Sequence, residues 1–186
     1  MINPLELDIV IPEKNIAIEY CGIYFHSETW GNKDKHYHLN KQQLTNEQGY
    51  KLITIFENEW FDKQDIVKSI LSVKLGVCKN KVYARKTTFK EVSYKDIKQF
   101  EIDNHLQGTR PASKYYVLYY NDEIVMSLSM GKSRFNKKIS NEIVRMTTKK
   151  NLNVIGGISK LIKNIKVNDC LTYADKRYGD GNGYEK

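Results

Sequence analysis

The chain has 186 residues, of which 40% are hydrophobic and 11% aromatic, and its formal net charge at pH 7 is +8. This length and apolar content provide a core for one large or two small domains and exclude an intrinsically disordered chain. The sequence has no apolar run of membrane-spanning length, and its first residues lack the pattern of a signal peptide. Its three cysteines (Cys21, Cys78 and Cys170) are widely spaced, which predicts neither a disulfide framework nor a zinc site. We therefore expect a soluble protein of a reducing, cytoplasmic compartment.

Charge is divided unevenly along the chain. Residues 1–78 hold 8 Lys and Arg against 11 Asp and Glu, a net charge of −3, whereas residues 79–186 hold 22 against 11, a net charge of +11. A basic half of this kind is typical of a nucleic-acid-binding surface, although a Lys-rich surface can also serve solubility alone. Because the composition changes near Gly76–Lys81, we place a domain boundary between residues 78 and 79.

The chain begins with two β-branched runs, Leu5–Ile11 and Ile16–Cys21, separated by a turn that starts at Pro12. Their length and the turn residues between them predict a β-hairpin. Asp8 and Glu19 lie inside these runs. A carboxylate in a strand usually belongs to the solvent-facing side, because burying an unpaired charge is costly. Two carboxylates on neighbouring strands can also hold a hard cation through their oxygens, and the spacing alone leaves both interpretations open.

A helix is predicted from Asp34, which can cap its N-terminus, to the stop signal Gly49. His38 and Lys41 lie three residues apart on one face of this helix. That face either points at a functional site or is the solvated side of a plain amphipathic helix. The rest of this half predicts a strand over 51–56 and a helix over 57–75.

The order of Asp8, a Pro-containing turn, Glu19–Gly22, His26, a Lys-rich helix and Gly49–Ile55 resembles the PD-(D/E)XK nuclease core. More narrowly, it is similar to the Vsr-like branch, which includes the very-short-patch mismatch-repair endonucleases and related phage homing endonucleases. The resemblance covers about residues 5–75. It implies an α/β, restriction-endonuclease-like fold, with a mixed sheet and flanking helices. It also implies Mg²⁺-dependent hydrolysis of double-stranded DNA in a bacterial host or phage-infected cell, with Asp8 and Glu19 as metal ligands.

The same resemblance implies roles for other residues of the first half. Asp8, Glu19, His26 and His38 would be catalytic, with the two histidines assisting proton transfer. Contacts to DNA would come from Tyr24, Phe25, Trp30, Lys35 and Lys41. Without the resemblance, the aromatics would cap the hydrophobic core, which is the commoner fate of loop aromatics, and His26 would be a solvated loop histidine.

Two features depart from the family pattern. Cys21 stands where relatives have Lys, His or Asn, and a thiol is a poor replacement for a cation or an amide beside a phosphate. Relatives also begin with a helix that presents a catalytic Glu, and here Met1 lies too close to the first strand for that helix, although Glu6 could partly substitute. The alternative function is therefore an inactive, nuclease-derived DNA-binding or regulatory protein. The uncovered surface would suit a homodimer or a protein partner.

The second half mixes short strands with helices. A hairpin is predicted around Asn121-Asp122, and a Gly156-Gly157 turn opens the last helix. The predicted elements are strands over 82–84, 115–120, 124–130, 140–147 and 171–174, a strand or loop over 89–92, and a helix over 94–104 capped by Ser93.

The Gly156-Gly157 turn and the closing Gly183–Lys186 run resemble the GNAT, or acetyltransferase-like, fold. We therefore expect an α+β domain over residues 79–186. A glycine turn at a helix N-terminus can cradle a pyrophosphate such as that of coenzyme A, but it is often only a tight turn. Similar domains accompany phage homing endonucleases, so DNA contact is the expected role and acyl transfer a third alternative. The expected phosphate contacts are Lys132, Arg134, Lys137, Lys138 and Arg145.

Overall fold

The structure, a computed structural model, describes residues 6–22, 37–136 and 138–179. These residues fall into two compact units. Unit 1 runs to Val67 and also includes the later segment Lys176–Gly179, whereas unit 2 runs from Lys68 to Asp175. The compact units therefore divide before the predicted domain boundary between residues 78 and 79. That boundary, which rests on charge composition, stays a prediction.

Unit 1 contains a three-stranded mixed sheet in the order β1-β2-β3. Strand β1 (Ile9–Ile11) pairs antiparallel with β2 (Ile16–Cys21), and β3 (Lys51–Phe56) pairs parallel with β2. The predicted hairpin is confirmed. A 3-10 turn over Pro12–Lys14 joins its strands, and Asn15 closes the turn at a φ of 52°, a left-handed conformation that Asn tolerates better than most residues.

The helices of this half are α1 (Tyr37–Glu47), α2 (Glu57–Asp62) and α3 (Gln64–Lys74). Helix α1 connects β2 to β3, as a parallel strand pair requires. The single helix predicted over 57–75 is wrong in one respect, because the chain leaves helical geometry at Lys63, where φ is −136°. The division between the two units falls within α3.

The strands of unit 2 are β4 (Lys81–Tyr83), β5 (Thr88–Val92), β6 (Lys114–Tyr120), β7 (Glu123–Lys132), β8 (Asn141–Thr148), β9 (Asn153–Ile155) and β10 (Leu171–Thr172), and its helices are α4 (Tyr94–Asn104) and α5 (Gly157–Asn164). Five of these strands form a sheet in the order β10-β8-β7-β6-β5, and β4 and β9 form a separate parallel pair. All neighbours in the large sheet are antiparallel except β8 and β10.

Local signals account for several of these elements. Helix α4 has the predicted bounds, and the Ser93 N–H at its start donates to Asp96 Oδ2 at 2.9 Å, which satisfies a backbone group at the helix end. The β6–β7 hairpin turns at Asn121 and Asp122, whose positive φ values match the twist of an antiparallel pair.

A hydrophobic core holds unit 2 together, and it includes the fully buried Leu118, Leu128 and Leu161 from β6, β7 and α5. Truncating such a leucine to alanine costs about 2–5 kcal/mol, because the cavity only partly collapses. The predicted α/β class, with mixed sheets and flanking helices, is confirmed. Within the described ranges, the structure has no helix long and apolar enough to cross a bilayer.

Candidate functional site

The hairpin register brings the two predicted metal ligands to the same end of β2. Ile9 pairs with Ile18, so continuing this antiparallel register by one residue sets Asp8 opposite Glu19. Asp8 Oδ2 accepts a hydrogen bond from the Tyr20 N–H at 2.7 Å, which orients its exposed carboxylate along the strand. Both carboxylates therefore lie near the same end of β2, where both raise the pKa of the Cys21 thiol.

Glu19 is buried, and its partner is a lysine from the covering helix. Lys41 of α1 donates to Glu19 Oε1, and the two side chains are only 5% and 7% exposed for lysine and glutamate respectively. Lys41 was predicted to lie next to the DNA backbone. In the structure its ammonium group is held in this buried ion pair, and a contact with DNA stays a prediction.

The second carboxylate oxygen of Glu19, Oε2, is buried and has no hydrogen-bond partner among the residues that the structure describes. A buried acceptor without a partner costs about 1–3 kcal/mol, so native proteins rarely retain one without a reason. Glu19 Oε2 and the Asp8 carboxylate offer the hard oxygen donors that Mg²⁺ prefers. Among the described residues no group of three or more His, Cys, Asp or Glu forms a cage. This donor set fits Mg²⁺, which commonly takes one or two carboxylates and completes its shell with water and phosphate.

Cys21 and His38 occupy the end of the same face. Cys21 Sγ lies 3.9 Å from His38 Nδ1, and the His38 ring meets the Phe56 ring edge-on at 5.8 Å. Burial, reinforced by the neighbouring Glu19 carboxylate, raises the pKa of the Cys21 thiol to about 12. The thiol is therefore protonated at neutral pH. His38 is half-buried beside Cys21, and its catalytic role stays a prediction.

A segment from near the end of the chain completes this region of unit 1. The Arg177 guanidinium donates to both oxygens of Glu59 at 2.9 Å and lies 4.6 Å from the centre of the Phe56 ring. The Tyr178 hydroxyl donates to Glu59 Oε2 at 3.1 Å. Arg177 is also near enough to Cys21 to lower that thiol's pKa slightly against the effect of burial. Neither residue was predicted to belong here.

Several predicted site residues cannot be placed. Tyr24, Phe25, His26, Trp30, Lys35 and Lys137 lie outside the described residues. Their proposed roles in catalysis and DNA contact stay predictions.

The predicted phosphate contacts of unit 2 differ in availability. Lys132 and Lys138 are exposed. Arg134 is exposed on one side, and its guanidinium donates to Glu142 Oε1 at 2.6 and 3.0 Å. Burial alone would raise the pKa of Glu142, but hydrogen bonds from Arg134 outweigh that effect and hold it below its usual value.

Arg145 is half-buried and bonds to backbone carbonyls of its own unit. Its guanidinium donates to the Gly108 carbonyl at 3.2 Å and to the Val144 carbonyl at 2.9 Å. Burial lowers the pKa of Arg145, which the nearby Glu101 partly offsets and the nearby Arg110 deepens. The side chain therefore helps to hold the loop before β6, and its role as a phosphate contact stays a prediction.

The Gly156-Gly157 turn has a packing explanation. Gly156 has a φ of 77°, which glycine adopts without strain. A Cβ on Gly157 would lie 2.6 Å from Met126 Sδ and 2.9 Å from Val154 Cγ1, so only glycine fits there. These contacts account for both glycines without a bound pyrophosphate, and the acyl-carrier role stays a prediction.

Comparisons with protein-family models, with curated proteins and with solved structures found no match. The function must therefore be argued from the site itself. Sequence reasoning missed two of its features, the burial of Lys41 against Glu19 and the arrival of Arg177. The sequence held an indirect signal for the burial of Lys41. Because Cys21 stands where relatives have Lys, His or Asn, any cation of the site had to come from another element.

Proposed function

We propose that the chain is a DNA endonuclease of the homing-endonuclease kind, in which unit 1 hydrolyses phosphodiester bonds and the basic unit 2 binds the duplex. The observation that supports this most is the buried pair of Lys41 and Glu19, with Asp8 opposite and one Glu19 oxygen lacking a hydrogen-bond partner. The proposal takes unit 1 as a Vsr-like PD-(D/E)XK nuclease module and unit 2 as a GNAT-like module.

The character of helix α1 supports a functional site over a purely structural one. Its buried residues are Lys41 and Thr45, whereas its leucines, Leu39 and Leu44, are exposed. A helix selected only for stability buries its leucines and leaves its lysines in water. Such conflicts between local pattern and burial concentrate at functional sites, where chemistry outweighs stability.

Each residue has a distinct part in the proposed reaction. Asp8 and Glu19 would hold Mg²⁺, which when bound supplies an activated water and stabilises charge on the phosphate. Lys41 holds the Glu19 carboxylate in place and adds a positive charge close to the position of the scissile phosphate. Lys41 thereby takes over the cationic role that Cys21, whose thiol stays neutral, does not perform. His38 is placed beside this group to give or accept a proton.

A second candidate function is a nuclease-derived DNA-binding protein that does not cleave. One observation favours it. Lys41 neutralises Glu19 without any metal ion, so the buried charges of the site are already balanced. A site that is balanced in this way can persist after activity is lost, with the basic unit 2 still binding phosphates.

Cleavage of supercoiled plasmid tests the two candidates. The purified chain is incubated with Mg²⁺, Mn²⁺ or EDTA, and the parent is compared with Asp8→Ala. Glu13→Ala is the matched control, because Glu13 is an exposed carboxylate of the same hairpin that lies away from the site. We expect metal-dependent nicking that Asp8→Ala reduces by at least about a hundredfold and Glu13→Ala leaves unchanged. Salt-sensitive DNA binding with no cutting in any variant would instead establish the second candidate.

A further inference from the structure

Unit 2 has an exposed aromatic pair that the proposed cleavage does not use. Phe135 is 76% exposed and Tyr173 is 56% exposed, the highest exposures of aromatic residues within the described part of this unit. Their rings meet edge-on with centroids 6.0 Å apart and an angle of 86° between the ring planes. Two aromatic rings that stand together in water lose the favourable burial that usually justifies them, so they need another explanation.

A fixed cation adjoins this pair. The Arg134 guanidinium carbon lies 5.4 Å from the centre of the Phe135 ring. Glu142 holds that guanidinium through bonds from Nε and NH2 and also accepts the Arg134 backbone N–H at 3.0 Å. The arginine is therefore oriented before any ligand arrives, which lowers the entropic cost of binding.

The same arginine lines a basic pocket. A cavity of about 280 Å³ is bordered by Arg110, Lys132 and Arg134, and residues 111–113, Gly131 and Val144 form the rest of its wall. Arg110 and Lys132 are exposed. Of these three cations, only Arg134 has a carboxylate partner within salt-bridge distance among the described residues. The pocket therefore has an excess of positive charge, which suits a phosphate group.

From this arrangement, we propose that unit 2 binds single-stranded DNA, with unpaired bases stacking on Phe135 and Tyr173 and the strand's phosphates held by Arg110, Lys132 and Arg134. A positively charged groove beside exposed aromatic rings is the combination by which proteins hold unpaired nucleotides without reading their sequence. In a closed duplex the flat faces of the bases are covered by their neighbours, so the rings would have no partner there. This inference extends the proposed DNA binding of unit 2 and does not depend on cleavage by unit 1.

Binding to two oligonucleotides of equal charge tests the stacking directly. The full chain carrying Asp8→Ala, which removes the proposed cleavage, is titrated into a fluorescent dT oligomer and into an abasic oligomer of the same length. Both strands present the same phosphates, but only one has bases. We expect at least about fivefold tighter binding to the dT oligomer, since one stacked base contributes this much or more. The variant Phe135→Ala should erase the preference while keeping the affinity for the abasic strand.

The chain offers a matched control for this substitution. Phe61 of α2 is 74% exposed, almost the same as Phe135, but belongs to unit 1. Phe61→Ala should leave the preference for bases intact. Arg110→Ala should weaken binding to both oligomers alike and reduce the salt dependence of binding.

The possible outcomes separate this inference from the proposed function. Equal affinity for the dT and abasic oligomers, or a preference that survives Phe135→Ala, would overturn the stacking surface and leave the phosphate-binding role of unit 2 standing. Absence of binding to either strand or to duplex DNA would overturn both. Complete displacement of the oligomer by an equimolar amount of free dTMP would identify a mononucleotide site and overturn the assignment to a strand.

Discussion

The buried ion pair of Lys41 and Glu19 makes a sharp prediction about the stability of unit 1. Lys41→Met keeps most of the length and apolar stem of the side chain but removes its charge, so lost packing contributes little. Glu19 then remains buried with neither oxygen paired. Removing one partner of a buried pair costs about 3–5 kcal/mol. Because small domains are stable by only about 5–15 kcal/mol, unit 1 would lose a large part of its stability.

Tryptophan fluorescence follows this loss selectively. The chain has two tryptophans, Trp30 and Trp60, and both lie within the first 67 residues, so the signal reports on unit 1. With a urea dependence of about 1–2 kcal/mol per molar for a unit of this size, the unfolding midpoint should fall by roughly 2 M or more in Lys41→Met. Lys14→Met is the matched control, because Lys14 is an exposed lysine of the same unit, and its midpoint should stay within about 0.5 M of the parent.

The double variant Glu19→Met, Lys41→Met separates the charge effect from damage to packing. Replacing a buried ion pair by apolar residues of similar size is often neutral or stabilising, so we expect the double variant to recover most of the lost stability. The reasoning is refuted if Lys41→Met costs less than about 1 kcal/mol, or if the double variant is less stable than either single variant.

Three further predictions concern other parts of the chain. Burial lowers the pKa of His105 from 6.5 to about 4, so the unfolded state takes up this proton at a higher pH than the folded state. The contribution of His105 to the free energy of unfolding of unit 2 should therefore be complete above pH 6.5, and about 3 kcal/mol of it should be lost as the pH falls to 4. Urea titrations followed by tyrosine circular dichroism should show this loss in the parent but not in His105→Gln. Gly157→Ala should destabilise unit 2 by about 1–3 kcal/mol through the clash with Met126, and an unchanged melting temperature would contradict the packing explanation of the glycine turn. Arg177→Met should cost unit 1 about 1–2 kcal/mol, because the partly buried Glu59 loses its cation and keeps only its weaker hydrogen bonds. Tryptophan fluorescence measures this loss, and no change would show that the bidentate contact is too solvated to matter.

Elements with strong local signals were predictable from the sequence. The bounds of β2, β3 and α4 agree with prediction, because β-branched runs and a Ser93 cap act over a few residues. The hairpin turn at Asn121 and Asp122 was also recognisable, since few residues tolerate its positive φ values. In each case the information lies within the element or beside it.

The centre of the candidate site was only partly predictable. The sequence pattern indicated that Asp8 and Glu19 belong together, and the register agrees. It did not indicate that Lys41 turns inward, because the leucines of the same helix predict the opposite face as the buried one. Helical periodicity reports the preference of an isolated helix, and here the buried charge of Glu19 decides the orientation instead.

Contacts between distant residues could not be predicted at all. Glu59 and Arg177 are separated by 118 positions, and neither flanking sequence has a motif that links them. The break of the second predicted helix at Lys63 is similar, because no Gly or Pro marks it and tertiary packing sets the bend.

The return of Arg177 to Glu59 has a consequence for how the protein is made. A ribosome that has released Val67 has synthesised most of unit 1 but not the Lys176–Gly179 segment, so this unit reaches its final form only after residues 68–175 of unit 2 have been synthesised. Unit 1 therefore stays incomplete while nascent and matures together with the basic unit 2. By the same logic, a gene rearrangement that moved the first 78 codons as a cassette would leave Arg177 behind. Unit 1 therefore needs two separate segments of the chain, and the chain between them forms unit 2.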